Sequence, residues 1–240
     1  MEILIIPDVH GREFWKEPLL EHIDEYDKVI FLGDYVDPYP DEGITRRKAT
    51  SILDEIIEIK KKYQDKVMLL LGNHDLHYIY IRIFGPKVRY SSSHAWSIRR
   101  RFRENIELFK LCHEEIINGK RYLFSHAGLM KSWYERYNRE IGDLTESNIN
   151  KLLNNNAGMI PLSEISRYRS RWGGMFGSIV WSDLDEKIDN KSEAVVPPYD
   201  YQIFGHTWQE DNKPYITDNW ACLDTENAYV INDKGEIKQV

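Results

Sequence analysis

The stretch Lys28-Val29-Ile30-Phe31-Leu32-Gly33-Asp34-Tyr35-Val36-Asp37 decides the fold. Its apolar run is of strand length, and Gly33 ends it where two carboxylates follow three positions apart. The pattern repeats on either side. Residues 2–6 form an apolar run followed by Asp8 and His10, and residues 66–71 form another followed by Asn73, His74 and Asp75. Between the second and third runs, in 45–63, Ile52, Ile56 and Ile59 recur at helical spacing beside Leu53 and Ile57. Strand, helix and strand in this alternation predict an α/β layer, with the polar clusters at the strand exits. In open α/β sheets ligands gather at that edge, so clusters distant in sequence can converge there.

Further along, 93–111 predicts a helix, and 114–117, Asn118-Gly119 and 121–124 predict a hairpin whose turn residues tolerate positive φ. The pairing there is expected to become antiparallel. His126 follows this hairpin, and His206 follows a predicted strand at 201–204. Short strands are expected at 215–217, 222–223 and 228–231, with a turn at 232–235. The polar stretch 130–177, with modest helical signals at 131–139 and 147–155, reads as a partly helical capping insertion within one domain spanning 1–240.

Composition narrows the function classes. Hydrophobic residues make up 42% and charged residues 30%, which suits a globular chain with a real core. The net charge of -7 offers no general attraction for a nucleic-acid backbone, and Arg99, Arg100, Arg101 and Arg103 fall on different faces of a predicted helix. Cys112 and Cys222 form no CxxC pair and read as packing residues. No apolar run is long enough to span a membrane, and Met1 leads straight into Ile3-Leu4-Ile5-Ile6 without a basic start, so a cytoplasmic protein is expected.

The candidate ligands are carboxylates, an amide and imidazoles, without thiolate, which points to manganese, iron or zinc. Gly33, Gly72 and Gly205 each precede one of them, where a missing Cβ lets the backbone turn close to an ion.

Asp8-Val9-His10, Gly33-Asp34-Tyr35-Val36-Asp37, Gly72-Asn73-His74-Asp75, Ser125-His126-Ala127-Gly128 and Gly205-His206-Thr207 occur in one order. In this the chain resembles the calcineurin-like metallophosphoesterase superfamily. The resemblance implies a four-layer type of fold, with mixed β-sheets packed together and flanked by helices. It also implies a dinuclear site, with Asp8, His10 and Asp34 on one divalent ion and Asp34, Asn73, His126 and His206 on the other. Manganese is the first expectation, with iron or zinc as alternatives. His74 corresponds to the general acid, oriented by Asp37 or, as the rival, Asp75. Many members have a second histidine where this chain has Trp208, a departure that favours the phosphoprotein phosphatase-like branch. The segment Ile179-Val180-Trp181-Ser182-Asp183-Leu184-Asp185 is similar to that branch too, and bacterial diadenosine tetraphosphatases share much of the pattern.

Two departures concern phosphate binding. Pro38 and Leu71 stand where the branch usually has arginine, leaving Arg12, Arg46, Arg47, Arg169 and Arg171 as candidate clamps, of which Arg169, Arg171 and Arg12 are preferred. The implied activity is hydrolysis of a phosphate monoester, on a phosphoprotein or a small phosphorylated molecule, by water activated between two ions. Hydrolysis of a dinucleoside polyphosphate, hydrolysis of a phosphodiester as by a nuclease, and an inactive scaffold are the alternatives.

Overall fold

The computed structural model describes residues 1–80, 89–154 and 159–240. Its strands are β1 (Glu2–Ile6), β2 (Lys28–Phe31), β3 (Val67–Leu70), β4 (Phe109–Lys110), β5 (Cys112–Ile117), β6 (Lys120–Ser125), β7 (Tyr201–Phe204), β8 (Tyr215–Ile216), β9 (Trp220–Cys222), β10 (Tyr229–Asn232) and β11 (Ile237–Gln239). They form two mixed sheets, ordered β11-β10-β1-β2-β3-β4 and β5-β6-β7-β9-β8, flanked by helices. The chain divides into two compact units, one of Met1–Phe109 with Glu226–Val240 and one of Lys110–Thr225. No helix among the described residues is long and apolar enough to cross a membrane.

In the first unit β1, β2 and β3 run parallel, with Ile3 opposite Lys28 and Val29 opposite Val67. Ile3, Leu4, Ile5 and Ile6 are fully buried, so neither face of β1 meets water. That is why the strand reads as a continuous apolar run and not as an alternation. Helix α1 (Lys16–His22), which carries little periodic signal, follows β1. Helix α2 (Arg46–Tyr63) buries Ile52, Leu53, Ile56, Ile57 and Ile59 along one side and packs on β3. Its start is set by Thr45, whose hydroxyl accepts the N–H of Lys48. Helix α3 (Asn73–Ile79) begins immediately beyond the exit of β3. The predicted helix at 93–111 is shorter, Ala95–Glu104, because the chain turns at Asn105 and enters β4. Near the C-terminus β10 pairs antiparallel with β1 and with β11, a strand too short and polar to stand out in the sequence.

In the second unit β5 and β6 form the predicted hairpin, and Asn118 and Gly119 both take positive φ, at 51° and 73°. The sheet is not wholly antiparallel, since β6 and β9 each run parallel to β7. Stretch 130–177 contains the helix Lys131–Ile141, whose Trp133 is buried and donates from Nε1 to Pro161 O at 2.9 Å. A second helix, Glu146–Asn150, overlaps the predicted 147–155, whose final residue Asn155 lies outside the described residues. Leu144, Ile149, Leu152 and Leu162 are buried as well, so the stretch contributes to the unit's own core.

Candidate functional site

The first unit's cluster begins with backbone geometry. Past the ends of β1 and β2 the two chains stay paired, with His10 N–H donating to Asp34 O at 2.7 Å and Gly11 N–H to Tyr35 O at 3.0 Å. His10, Asp34 and Asp37 all sit at positive φ, 46°, 52° and 65°, a region costly for residues with a Cβ and best tolerated by Asn, Asp and His. The third exit closes against the second. A Cβ on Gly72 would lie 2.0 Å from Asp34 Oδ1, and one on Gly33 would lie 2.5 Å from Gly72 N, so neither position accepts a side chain.

Asp75 holds this junction. Its Oδ2 accepts the N–H groups of Asp34 at 2.8 Å and Gly72 at 2.9 Å, and its Oδ1 accepts that of Tyr35 at 3.1 Å. Asp34 Oδ1 in turn accepts the His74 N–H at 2.9 Å. The Asp34 carboxylate is thereby aimed from two sides, and Asn73 is buried at the first position of α3.

His10, Asp34 and His74 offer ligand atoms within 4.8 Å of one another. His10 Nε2 is 3.7 Å from Asp34 Oδ2 and 4.0 Å from Asp8 Oδ2, while its Nδ1–H donates to Val36 O at 2.9 Å. That bond leaves Nε2 as the nitrogen able to hold an ion. Burial and the neighbouring Asp8 carboxylate push the Asp34 carboxyl well above its ordinary range. Burial, with the positive fields of His74 and Arg89, pushes His10 well below the usual imidazole value, so its ring is neutral. Crowded carboxylates beside a neutral imidazole are relieved by a cation, and the donor set fits a divalent ion of hard to borderline character.

The ring of His74 is oriented by Asp37, whose Oδ2 lies 3.0 Å from Nδ1. Asp75, the rival, uses both its oxygens to accept backbone amides. The other oxygen of Asp37 accepts from the Tyr78 hydroxyl and, at 3.3 Å, from Arg46 Nη1. Burial raises the Asp37 carboxyl to about 6, with Tyr78, Arg46 and Arg89 opposing the rise. Sequence reasoning passed over Tyr78, although it lies four residues after His74 on one helix and so shares its face. It also passed over Arg89, which belongs to no motif and no periodic run.

In the second unit the parallel register of β6 and β7 carries both histidines to one edge. Phe124 faces Ile203, and two residues on Gly205 N–H donates to His126 O at 2.8 Å. His126 Nε2 and His206 Nδ1 are consequently 3.0 Å apart. His206 has φ 67°, and Arg169 secures that turn by donating from Nη2 to His206 O and Thr207 Oγ1, each at 2.8 Å, while pairing with Asp183 at 2.5 Å. Trp181 meets the His206 ring edge-on at 5.8 Å. Lys187 is fully buried, donates to Ala127 O at 2.9 Å and to Ser182 Oγ, and is lowered by burial to about 8.

The preferred arginines occupy different settings. Arg169 is committed to the His206 turn, Arg171 stacks over the exposed Trp172 at 4.7 Å, and Arg12 lies between Glu42 and Glu226 in the first unit. Among the described residues, Arg47 has no contact that ties it to the cluster.

The family model for calcineurin-like phosphoesterases matches residues 1–210 of this chain. A symmetrical bis(5'-nucleosyl)-tetraphosphatase of Paracidovorax citrulli (strain AAC00-1) is 26% identical over 140 residues, covering 55% of this chain and 46% of that protein. The chain therefore matches about half the length of that relative. Among solved structures, a cold-active protein tyrosine phosphatase superposes with a TM-score of 0.58 at 14% identity, covering 99% of this chain and 78% of the other. A metallophosphoesterase from Sphaerobacter thermophilus gives a TM-score of 0.52 at 14% identity, covering 100% and 88%. At these identities the two structures speak to the fold alone.

Proposed function

This chain belongs to the calcineurin-like phosphoesterase family, and on that premise we propose that it hydrolyses phosphate esters, a monoester before others, with His74 as the general acid. The observation that carries the reading is the His74–Asp37 pair, 3.0 Å apart, beside His10 and Asp34 in one unit. Asp37 accepts a hydrogen bond from Nδ1–H, which fixes the ring and raises its affinity for a second proton at Nε2. Nε2 lies 4.0 Å from Asp34 Oδ2, on the side of the candidate ligands, where a protonated ring can hand its proton to the leaving oxygen.

On the family resemblance, Asp34 would be shared by two ions, with Asp8 and His10 holding one and Asn73, His126 and His206 the other. Manganese is the first choice of ion. Such ions supply Lewis-acid activation of water and charge stabilisation at the phosphoryl group. Asp34→Asn should then weaken both ions and His10→Ala mainly one, as read by metal content after dialysis.

A second reading, hydrolysis of a dinucleoside polyphosphate, draws on the partial match to the tetraphosphatase. Assay of the purified protein with manganese against aryl phosphate monoesters and diesters, phosphopeptides and diadenosine tetraphosphate separates the readings. Turnover of monoesters and phosphopeptides supports the first, and selective turnover of the tetraphosphate supports the second. Silence across that panel with every metal would leave a binding scaffold.

A further inference from the structure

Pro38 and Leu71 leave the cluster without the arginines its motifs lead one to expect, yet the fold brings a different arginine to the same place. Arg89 donates from Nε to the carbonyl oxygen of Asp37 at 3.0 Å, at the peptide that leads into Pro38. Its guanidinium lies over the Tyr39 ring, 3.5 Å from the centroid, and its Nη2 stands 3.2 Å from His10 Nε2 and 3.3 Å from Nδ1. Its own carbonyl accepts Arg46 Nη1 at 3.2 Å, so a second cation steadies the segment.

What Arg89 lacks sets it apart from Arg12 and Arg46, the other arginines beside the cluster. Arg12 pairs with Glu42, Arg46 with Asp37, Arg101 with Asp54, Arg136 with Glu164 and Arg169 with Asp183. Arg89 has no carboxylate within ion-pair distance among the described residues, and its Nη1 has no hydrogen-bond partner among them. The guanidinium is held by a carbonyl and an aromatic face and feels the Asp37 and Asp34 carboxylates only at longer range, so it keeps a donor for an anion in direct contact. A phosphate oxygen pair matches its planar fork and would bring an anion into direct contact with it.

We propose that Arg89 binds the phosphoryl group of the ester, from a sequence position unrelated to Pro38 and Leu71. The inference rests on the phosphate-ester reading above, and its test separates the two. Manganese-loaded wild type, Arg89→Ala and Arg89→Gln are compared by metal content after dialysis, by calorimetric binding of inorganic phosphate, and by kinetics on nitrophenyl phosphate. Loss of a charge-assisted hydrogen-bond pair should weaken phosphate about ten- to a hundredfold and raise KM similarly, with metal content unchanged. Arg89→Lys should recover part of the affinity, since it restores charge without the fork. Phosphate binding that is equal in wild type and Arg89→Ala overturns the inference, and so does loss of metal, which would make Arg89 a support of the ligand cluster. If Arg89→Ala does not fold, Arg89→Gln, whose amide can still donate to Asp37 O, decides by the same criteria. A wild type that binds no phosphate also overturns it. Arg89-dependent phosphate binding without turnover of any ester would instead leave this inference standing and remove the hydrolase reading.

Discussion

Asp75 accepts three buried backbone N–H groups, and this accounts for its position three residues after Gly72 better than a role in proton transfer does. Asp75→Ala should leave those donors without an acceptor and cost about 3 kcal/mol or more in urea denaturation, with loss of bound metal. Asp75→Asn keeps one acceptor oxygen and should be milder. On the proposed acid role, His74 carries the opposite expectation. His74→Asn should keep its metal and lose about a hundred- to ten-thousandfold in turnover on an alkyl phosphate, with a distinctly smaller loss on nitrophenyl phosphate, whose phenolate leaves without a proton. Equal losses on both esters would assign His74 to positioning instead. On the same proposal Asp37 would charge His74 only when ionised, and it is raised to about 6, so kcat/KM should fall as pH drops through that region. Tyr78 opposes the rise by donating to Asp37, so Tyr78→Phe should move this acidic limb to higher pH. A limb that stays in place would detach Asp37 from the step.

Among elements, the exits of β2 and β3 form a joint in which two glycines let backbone and carboxylate pass at contact distance. Gly72→Ala places a methyl group on the Asp34 carboxylate, which is itself pinned by His74 N–H, so the carboxylate must move. The variant should lose metal affinity at a modest cost in stability, and full metal content by elemental analysis would contradict the tightness of the joint. Helix α2 offers a control remote from chemistry. Thr45→Ala removes the acceptor for Lys48 N–H and should cost about 0.5–2 kcal/mol by urea denaturation, with metal content unchanged.

For the molecule as a whole, each unit has its own sheet and its own buried polar anchors, and acid should act on those anchors. In the second unit burial alone would raise Glu146, but hydrogen bonds from His113, Lys110 and the Glu114 N–H outweigh it and hold the carboxyl at about 2. A carboxyl lowered on folding stabilises the native state at and above its ordinary value of 4.5, and the contribution disappears as pH falls through about 2. Allowing for solvent screening, this is worth about 1–2 kcal/mol. Glu146→Gln should therefore lower stability by that amount at pH 7 and flatten its dependence between those two values, as urea midpoints would record. An unchanged pH dependence would show that the pairings contribute nothing net.

Sequence alone determined the parallel β1-β2-β3 core, the amphipathic α2, the β5–β6 hairpin and the clusters that follow their strands. All of these depend on local signals, namely apolar runs, helical spacing and turn residues, which act between neighbours along the chain. The choice of Asp37 over Asp75 beside His74 required the tertiary structure, because both are carboxylates near the right segments and only their spatial neighbours distinguish them. The same holds for the arginines. Arg169, a preferred clamp from the sequence, holds the His206 turn, whereas Arg89 carries no pattern and is brought to Asp37 from 52 positions away. A charge acquires its role from what surrounds it after folding, and those surroundings are assembled from segments whose separation in sequence leaves no period to read.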